Sequence, residues 1–133
     1  MNIADKPLMY REAWRVLKPG GVLALSNVCA GAGDLYFPVP WAATPATSFL
    51  ATPEQTRADL QTAGFEIVAF RDTSDELLPA QRRYRERLER EGLPPLGVHV
   101  FMGERIREMQ LNSARNLADG KVRLIEALVR KPG

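Results

Sequence analysis

Leu8, Met9, Ala13, Val16 and Leu17 fall on one face of a helix, with Asp5 placed to cap its start and Pro7 in its first turn. Lys18-Pro19-Gly20-Gly21 ends that face, because proline cannot continue a helix and the glycine pair allows a tight reversal. Val22 to Val28 is then apolar almost throughout and shows no clean alternation. It is too short to cross a bilayer and predicts a strand covered on both faces, as inner strands of α/β sheets are.

The pattern changes period several times further along. Thr52-Pro53-Glu54-Gln55 carries a capping box with proline at the first helical position, Leu60 and Ala63 point inward, and Gly64 closes the helix. Phe65 to Phe70 reads as a second strand. From Thr73 to Glu91 the chain is densely charged, with a narrow apolar stripe of Leu77, Leu78, Tyr84 and Leu88. The spacing predicts a solvated helix laced by the pairs Arg82–Glu86, Arg85–Glu89, Glu86–Arg90 and Arg87–Glu91. Gly92 to Gly97 breaks it. Met102, Ile106, Met109, Ser113 and Leu117 predict one further helix, the methionines serving as core filler. Asp119-Gly120 makes a turn, and Lys121 to Arg130 reads as a final strand.

Two connecting stretches raise chemical questions. Cys29-Ala30-Gly31-Ala32-Gly33-Asp34 places glycines directly after a strand, as phosphate-binding loops do. That chemistry needs a helix N-terminus immediately afterwards, and Pro38 and Pro40 rule out a regular helix there. The stretch therefore reads as a flexible connector. Asp34 to Leu50 is a long, proline-punctuated loop rich in aromatics, and Tyr36, Phe37, Trp41 and Phe49 are candidates to line a substrate pocket or to cover the sheet edge. Trp14 reads as a packing residue. Asn112, Arg115 and Asn116 could reach an acceptor, with solvent as their expected destination.

Arg15-Val16-Leu17-Lys18-Pro19-Gly20-Gly21 followed by an apolar strand resembles the segment leading into the fifth strand of class I S-adenosylmethionine-dependent methyltransferases, closest to their small-molecule branch. Met1 to Glu12 looks like the preceding loop and helix, and Thr52 to Glu66 like the helix and sixth strand. The last strand looks like the antiparallel seventh, between the fifth and sixth. The resemblance implies an α/β fold, the C-terminal half of a Rossmann-like methyltransferase, with about three strands, one antiparallel, flanked by four helices. Residues 1–133 would form a single partial domain.

In that family S-adenosylmethionine is held by a glycine-rich turn after the first strand and an acidic residue ending the second. No residue here matches that turn. Asn2 and Asn27 fall on stretches that border the cofactor in relatives, and Tyr36, Phe37, Trp41 and Asn112 are the candidate acceptor contacts. The expectation is that this chain alone binds no cofactor, and no catalytic residue is assigned.

Composition narrows the alternatives. The net charge of +2 is too small to imply a polyanionic partner, and the charged helix mixes both signs where a nucleic-acid face would be mostly basic. Cys29 is the one cysteine and His99 the one histidine, with no partner at metal-ligand spacing. No segment reads as a signal peptide or a membrane span, so a cytoplasmic location is expected. The family's fourth strand has no counterpart, so the 22–28 strand would have a free edge, and pairing into a homodimer is expected. Two readings follow. One is the acceptor-side half of a small-molecule methyltransferase. The other is a non-catalytic, homo-oligomeric α/β module that binds a ligand or partner.

Overall fold

The computed structural model describes residues 1–97, 99–103 and 105–133, with the side chains of His99 and Phe101 set apart. The elements are α1 (Lys6–Val16), β1 (Val22–Ala30), a 3-10 turn (Pro45–Thr47), α2 (Pro53–Thr62), β2 (Glu66–Asp72), α3 (Ser74–Glu91), α4 (His99–Met102), α5 (Ile106–Ala118) and β3 (Val122–Arg130). The strands form one sheet in the order β1-β3-β2, and β3 runs antiparallel to both neighbours. The expected α/β layout is thus present, with the last strand between the other two.

Local chemistry explains the boundaries. The Asp5 side chain accepts the Leu8 N–H at 2.9 Å and starts α1. At the far end, Lys131 donates to the carbonyls of Trp14 and Leu17 at 2.9 and 2.8 Å, so a cation closes the negative end of the helix. Thr52 and Gln55 exchange both bonds of a capping box at the start of α2. Gly64, at φ +100°, supplies the left-handed turn into β2, and its open Cα lies against the Trp14 indole. Trp14 is a packing residue, as its position suggests.

One face of the sheet packs against α1 and α2. Tyr10, Leu60, Phe65, Ala127 and Val129 form the buried centre, with Leu23, Leu25, Ile67 and Phe70 around it. The other face is covered only toward the end of β1, where α3 and α5 pack on β3 and the Ser74 hydroxyl accepts the Leu124 N–H at 2.8 Å. The rest of that face is open. Val22 is 54% and Leu128 36% exposed, beside Ala24, Ser26, Ala69 and the Arg71–Glu126 pair. The expectation that Val22–Val28 is covered on both faces is therefore wrong. Among the described residues, the side chains of Val22, Ala24 and Ser26 on that face stay exposed.

Three other expectations change. The single helix expected over Met102–Leu117 is two, α4 and α5, separated at Gly103, which takes φ +78°. Met102 is consequently exposed rather than core filler. Four helices have ten or more residues, as expected, and α4 adds a single turn. Of the ion pairs expected on α3, Arg85–Glu89 forms at 3.7 Å, whereas Arg90 turns to Glu91 at 2.7 Å. Val16, expected to close the apolar face of α1, points to solvent.

Candidate functional site

Of the clefts lined by β1 residues, two hold candidate site residues. The first lies between the N-terminal segment and β1, lined by Met1, Asn2, Ile3, Lys6, Met9, Tyr10, Leu25, Ser26 and Asn27, with a volume of about 380 Å³. Asn2 and Asn27, singled out separately in the sequence, meet here. Lys6, which the sequence did not flag, is only 6% exposed, and its ammonium donates to the Ile3 carbonyl at 2.9 Å. Burial pushes the Tyr10 phenol up to about 12, helped by the nearby Cys29 and Asp59. Burial likewise raises the Cys29 thiol, against an opposing contact with the Thr56 hydroxyl at 3.5 Å. Cys29 is thus a protonated, enclosed thiol and not a nucleophile.

The second cleft sits beyond the carboxyl end of β1, under the long loop. Ala30, Gly33, Asp34, Leu35, Phe37, Pro45, Ser48, Leu50 and Lys121 line about 390 Å³. This is the position where open α/β sheets form ligand sites, and the size suits a small molecule. Its walls are mostly apolar, and Lys121 brings the one ammonium, donating to the Asp34 carbonyl at 2.7 Å.

The loop that roofs this cleft is held by α5. Asn116, fully buried, accepts the Tyr36 N–H at 2.8 Å and donates to the Tyr36 carbonyl at 3.0 Å. One turn away, Asn112 donates to the Pro38 carbonyl at 3.0 Å, next to the cis Phe37–Pro38 bond. Both asparagines thus bond to loop backbone and not to solvent, contrary to the sequence reading. A long loop carries backbone polar groups that need partners, and two amides at i and i+4 on one helix face supply them.

The aromatic candidates separate. Phe37 lines the cleft. The Tyr36 ring lies against Arg115, at 3.8 Å, and Lys121, at 4.7 Å, while its hydroxyl donates to Asp119 at 2.9 Å. Trp41 ties the loop to itself through a 3.0 Å bond to the Ser48 hydroxyl. Phe49 is exposed. Of the four residues proposed for acceptor contact, Phe37 reaches the cleft wall directly, while Tyr36, Trp41 and Asn112 shape the loop behind it.

The stretch read as a flexible connector is fixed instead. Gly31 and Ala32 donate to the Lys121 and Gly120 carbonyls at 2.8 and 2.9 Å, extending the β1–β3 pairing. A Cβ on Gly31 would overlap the Gly120 carbonyl, so glycine is needed there for close backbone approach rather than for a phosphate. Lys121 enters the site through this same crossing. Its signal in the sequence is the Asp119-Gly120 turn before β3, paired with the glycines after β1.

The described residues contain no group of three or more His, Cys, Asp or Glu positioned for a metal ion. The side chain of His99, the lone histidine, lies outside the described residues. No helix among the described residues is long and apolar enough to cross a membrane.

No family model matches the chain. Among curated proteins, a phosphoethanolamine N-methyltransferase from Triticum aestivum is 29% identical over 100 residues, 68% of this chain and 18% of the relative. A second one from wheat is 30% identical over 93 residues, 62% of this chain and 17% of the relative. The chain therefore spans less than a fifth of these relatives. Among solved structures, a Haemonchus contortus phosphoethanolamine N-methyltransferase, solved with phosphomonomethylethanolamine and S-adenosylhomocysteine, superposes with TM-score 0.69 at 18% identity. It covers 99% of this chain and 31% of that one. A Mycobacterium tuberculosis cyclopropane synthase gives TM-score 0.64 at 15% identity, over 95% of this chain and 50% of that one. The relatives by sequence are N-methyltransferases, the neighbours by fold include methyltransferases solved with S-adenosylmethionine or S-adenosylhomocysteine, and every match is partial.

Proposed function

We propose, on the premise that this chain has the fold of the C-terminal half of a class I S-adenosylmethionine-dependent methyltransferase, that it is the acceptor-side half of such an enzyme acting on a small molecule. The observation that carries this reading is the cleft beyond the carboxyl end of β1, roofed by a loop that Asn112 and Asn116 pin in place. Preorganised positioning is what methyl transfer asks of an acceptor site, since much of its catalysis is alignment.

S-adenosylmethionine, when bound, supplies an electrophilic methyl on a sulfonium for in-line transfer to an oxygen, nitrogen or carbon nucleophile. The residues around Asn2 and Asn27 do not fit the whole cofactor. Among the described residues their cleft is lined by no carboxylate for ribose hydroxyls, and the buried Lys6 ammonium opposes a sulfonium charge. They serve at most as one wall, and the chain on its own binds no cofactor. On the acceptor side, Phe37, Leu35 and Leu50 enclose the apolar part of the substrate and keep water from it. Lys121 faces its anionic or hydrogen-bond-accepting group. The curated relatives' phosphoethanolamine has such a group, which supports a small phosphorylated amine as the acceptor class.

The test is calorimetric titration of the chain with phosphoethanolamine, in the wild type and in Lys121→Met. Saturable binding that falls at least tenfold in the variant is the expected result. Binding that ignores Lys121, or no binding to either protein, contradicts the reading.

A further inference from the structure

α3 packs along α5, and the fit between the two helices is uneven. The Tyr84 hydroxyl donates to the Gln110 side chain at 2.8 Å, and the Ser74 hydroxyl ties the start of α3 to β3. Between these ties α5 presents Ala114 and Ala118, one turn apart, whose short side chains leave a gap. The gap is a cavity of about 240 Å³, lined by those alanines and by Leu78, Gln81, Arg82 and Arg85 of α3. Asn112 and Asn116, which hold the acceptor loop, stand two positions to either side of Ala114 and so face another flank of α5. Among the described residues this cavity and the acceptor cleft share no lining residue.

The cavity gathers cationic donors. Gln81, Arg82 and Arg85 issue from one side of α3, at spacings of one to four residues. The Arg85 Nε is shut off from solvent and has no hydrogen-bond partner among the described residues. The Glu89 carboxylate lies 3.7 Å from it, too far for a good hydrogen bond. Buried donors in folded proteins are almost always matched, so an unmatched one in a cavity wall marks a place for an acceptor. The Arg82–Glu86 pair that the spacing predicts is not made.

The geometry points to this cavity as a second ligand site, for a small molecule bearing a phosphate. Two guanidiniums one turn apart each offer forked N–H groups to phosphate oxygens. A phosphate monoester carries about −1.5 to −2 charges at neutral pH, enough to offset both. A carboxylate has one charge and two oxygens, and satisfies one guanidinium only. Leu78, Ala114 and Ala118 give the carbon part of the ligand an apolar wall. Glu89 is 54% exposed, and an ion pair that open to solvent yields Arg85 to the ligand at little cost.

Inorganic phosphate is the probe. It is titrated into the isotope-labelled full chain at constant ionic strength, with acetate in parallel, while nuclear magnetic resonance follows the arginine Nε–H signals and the α5 amides. Saturable shifts at Arg82, Arg85, Ala114 and Ala118 are expected with phosphate and not with acetate. Arg82→Gln and Arg85→Gln keep a good helix former at each position. Each should weaken phosphate binding at least tenfold with unchanged far-ultraviolet circular dichroism. Lys121→Met, in the acceptor cleft, should leave the Arg85 titration as it is in the wild type, so this site and the acceptor reading are tested apart. Wild-type shifts that do not saturate, equal shifts with acetate, indifference to both arginine substitutions, or loss of the Arg85 titration in Lys121→Met overturns the proposal.

Discussion

The buried side chain of Asn116 holds both backbone polar groups of Tyr36, accepting its N–H at 2.8 Å and donating to its carbonyl at 3.0 Å. A single amide in α5 thereby fixes the loop eighty positions earlier that roofs the candidate acceptor site.

Asn116→Leu is expected to lose both bonds and leave peptide groups without partners. Each orphaned buried group costs about 1–3 kcal/mol, so the melting temperature falls by several degrees. Hydrogen exchange should report lost protection at Tyr36, with the β3 amides unaffected. Retained protection at Tyr36 contradicts the pinning role.

Glycine substitutions separate steric need from conformational need. Gly31→Ala drives a Cβ into the Gly120 carbonyl, a backbone atom that cannot step aside. Gly20→Ala meets nothing within 4 Å and bears only the strain of φ +75°. That strain is about 1–3 kcal/mol. Denaturant melts should rank Gly31→Ala as clearly the more destabilising. Equal losses would mean that the β1–β3 crossing is looser than the geometry describes.

Lys131 closes the carbonyl end of α1 and stacks its ammonium 3.9 Å from the Trp14 ring. Lys131→Met is expected to destabilise by about 1.5–3 kcal/mol, the usual worth of a hydrogen bond to a charged group. Trp14 fluorescence should shift with the same substitution. An unchanged melt would show that solvent replaces the cap without loss.

Stability should decline at both ends of the pH scale. Burial alone would raise the Asp72 carboxyl, but bonds from Ser74 and the Arg123 guanidinium outweigh it and hold the group below its ordinary 3.8. A carboxyl lowered by folding stabilises above that value, and the contribution disappears as pH falls through the folded pKa. Cys29 and Tyr10 are raised, so their contribution is full below their ordinary values of 9.0 and 10.0. It is lost as pH climbs, for Tyr10 until about 12. Asp72→Asn should flatten the acid limb of a stability profile, and Tyr10→Phe the alkaline one.

The parts of the fold that depend on neighbours in sequence were legible from it. The Pro-Gly-Gly reversal, the Thr52–Gln55 box and the final strand each carry their own local chemistry. The cleft was half legible: Phe37 was found because aromatics in a long loop mark a pocket, but Lys121 and Lys6 look like ordinary surface lysines. Asn112 and Asn116 read as groups that could reach an acceptor, with solvent the expected destination, because a polar residue on a helix normally goes there. Only the path of the 34–50 loop across α5 makes them internal. β1 misled for the opposite reason: an apolar run suggests cover on both faces, and among the described residues one face stays exposed at Val22, Ala24 and Ser26.

Calorimetric titration of the chain with S-adenosylmethionine, repeated with its demethylated product, tests the central claim most directly. An acceptor-side half without a cofactor site predicts no saturable heat with either compound. Saturable binding at micromolar strength would contradict it and place a working cofactor site within these residues.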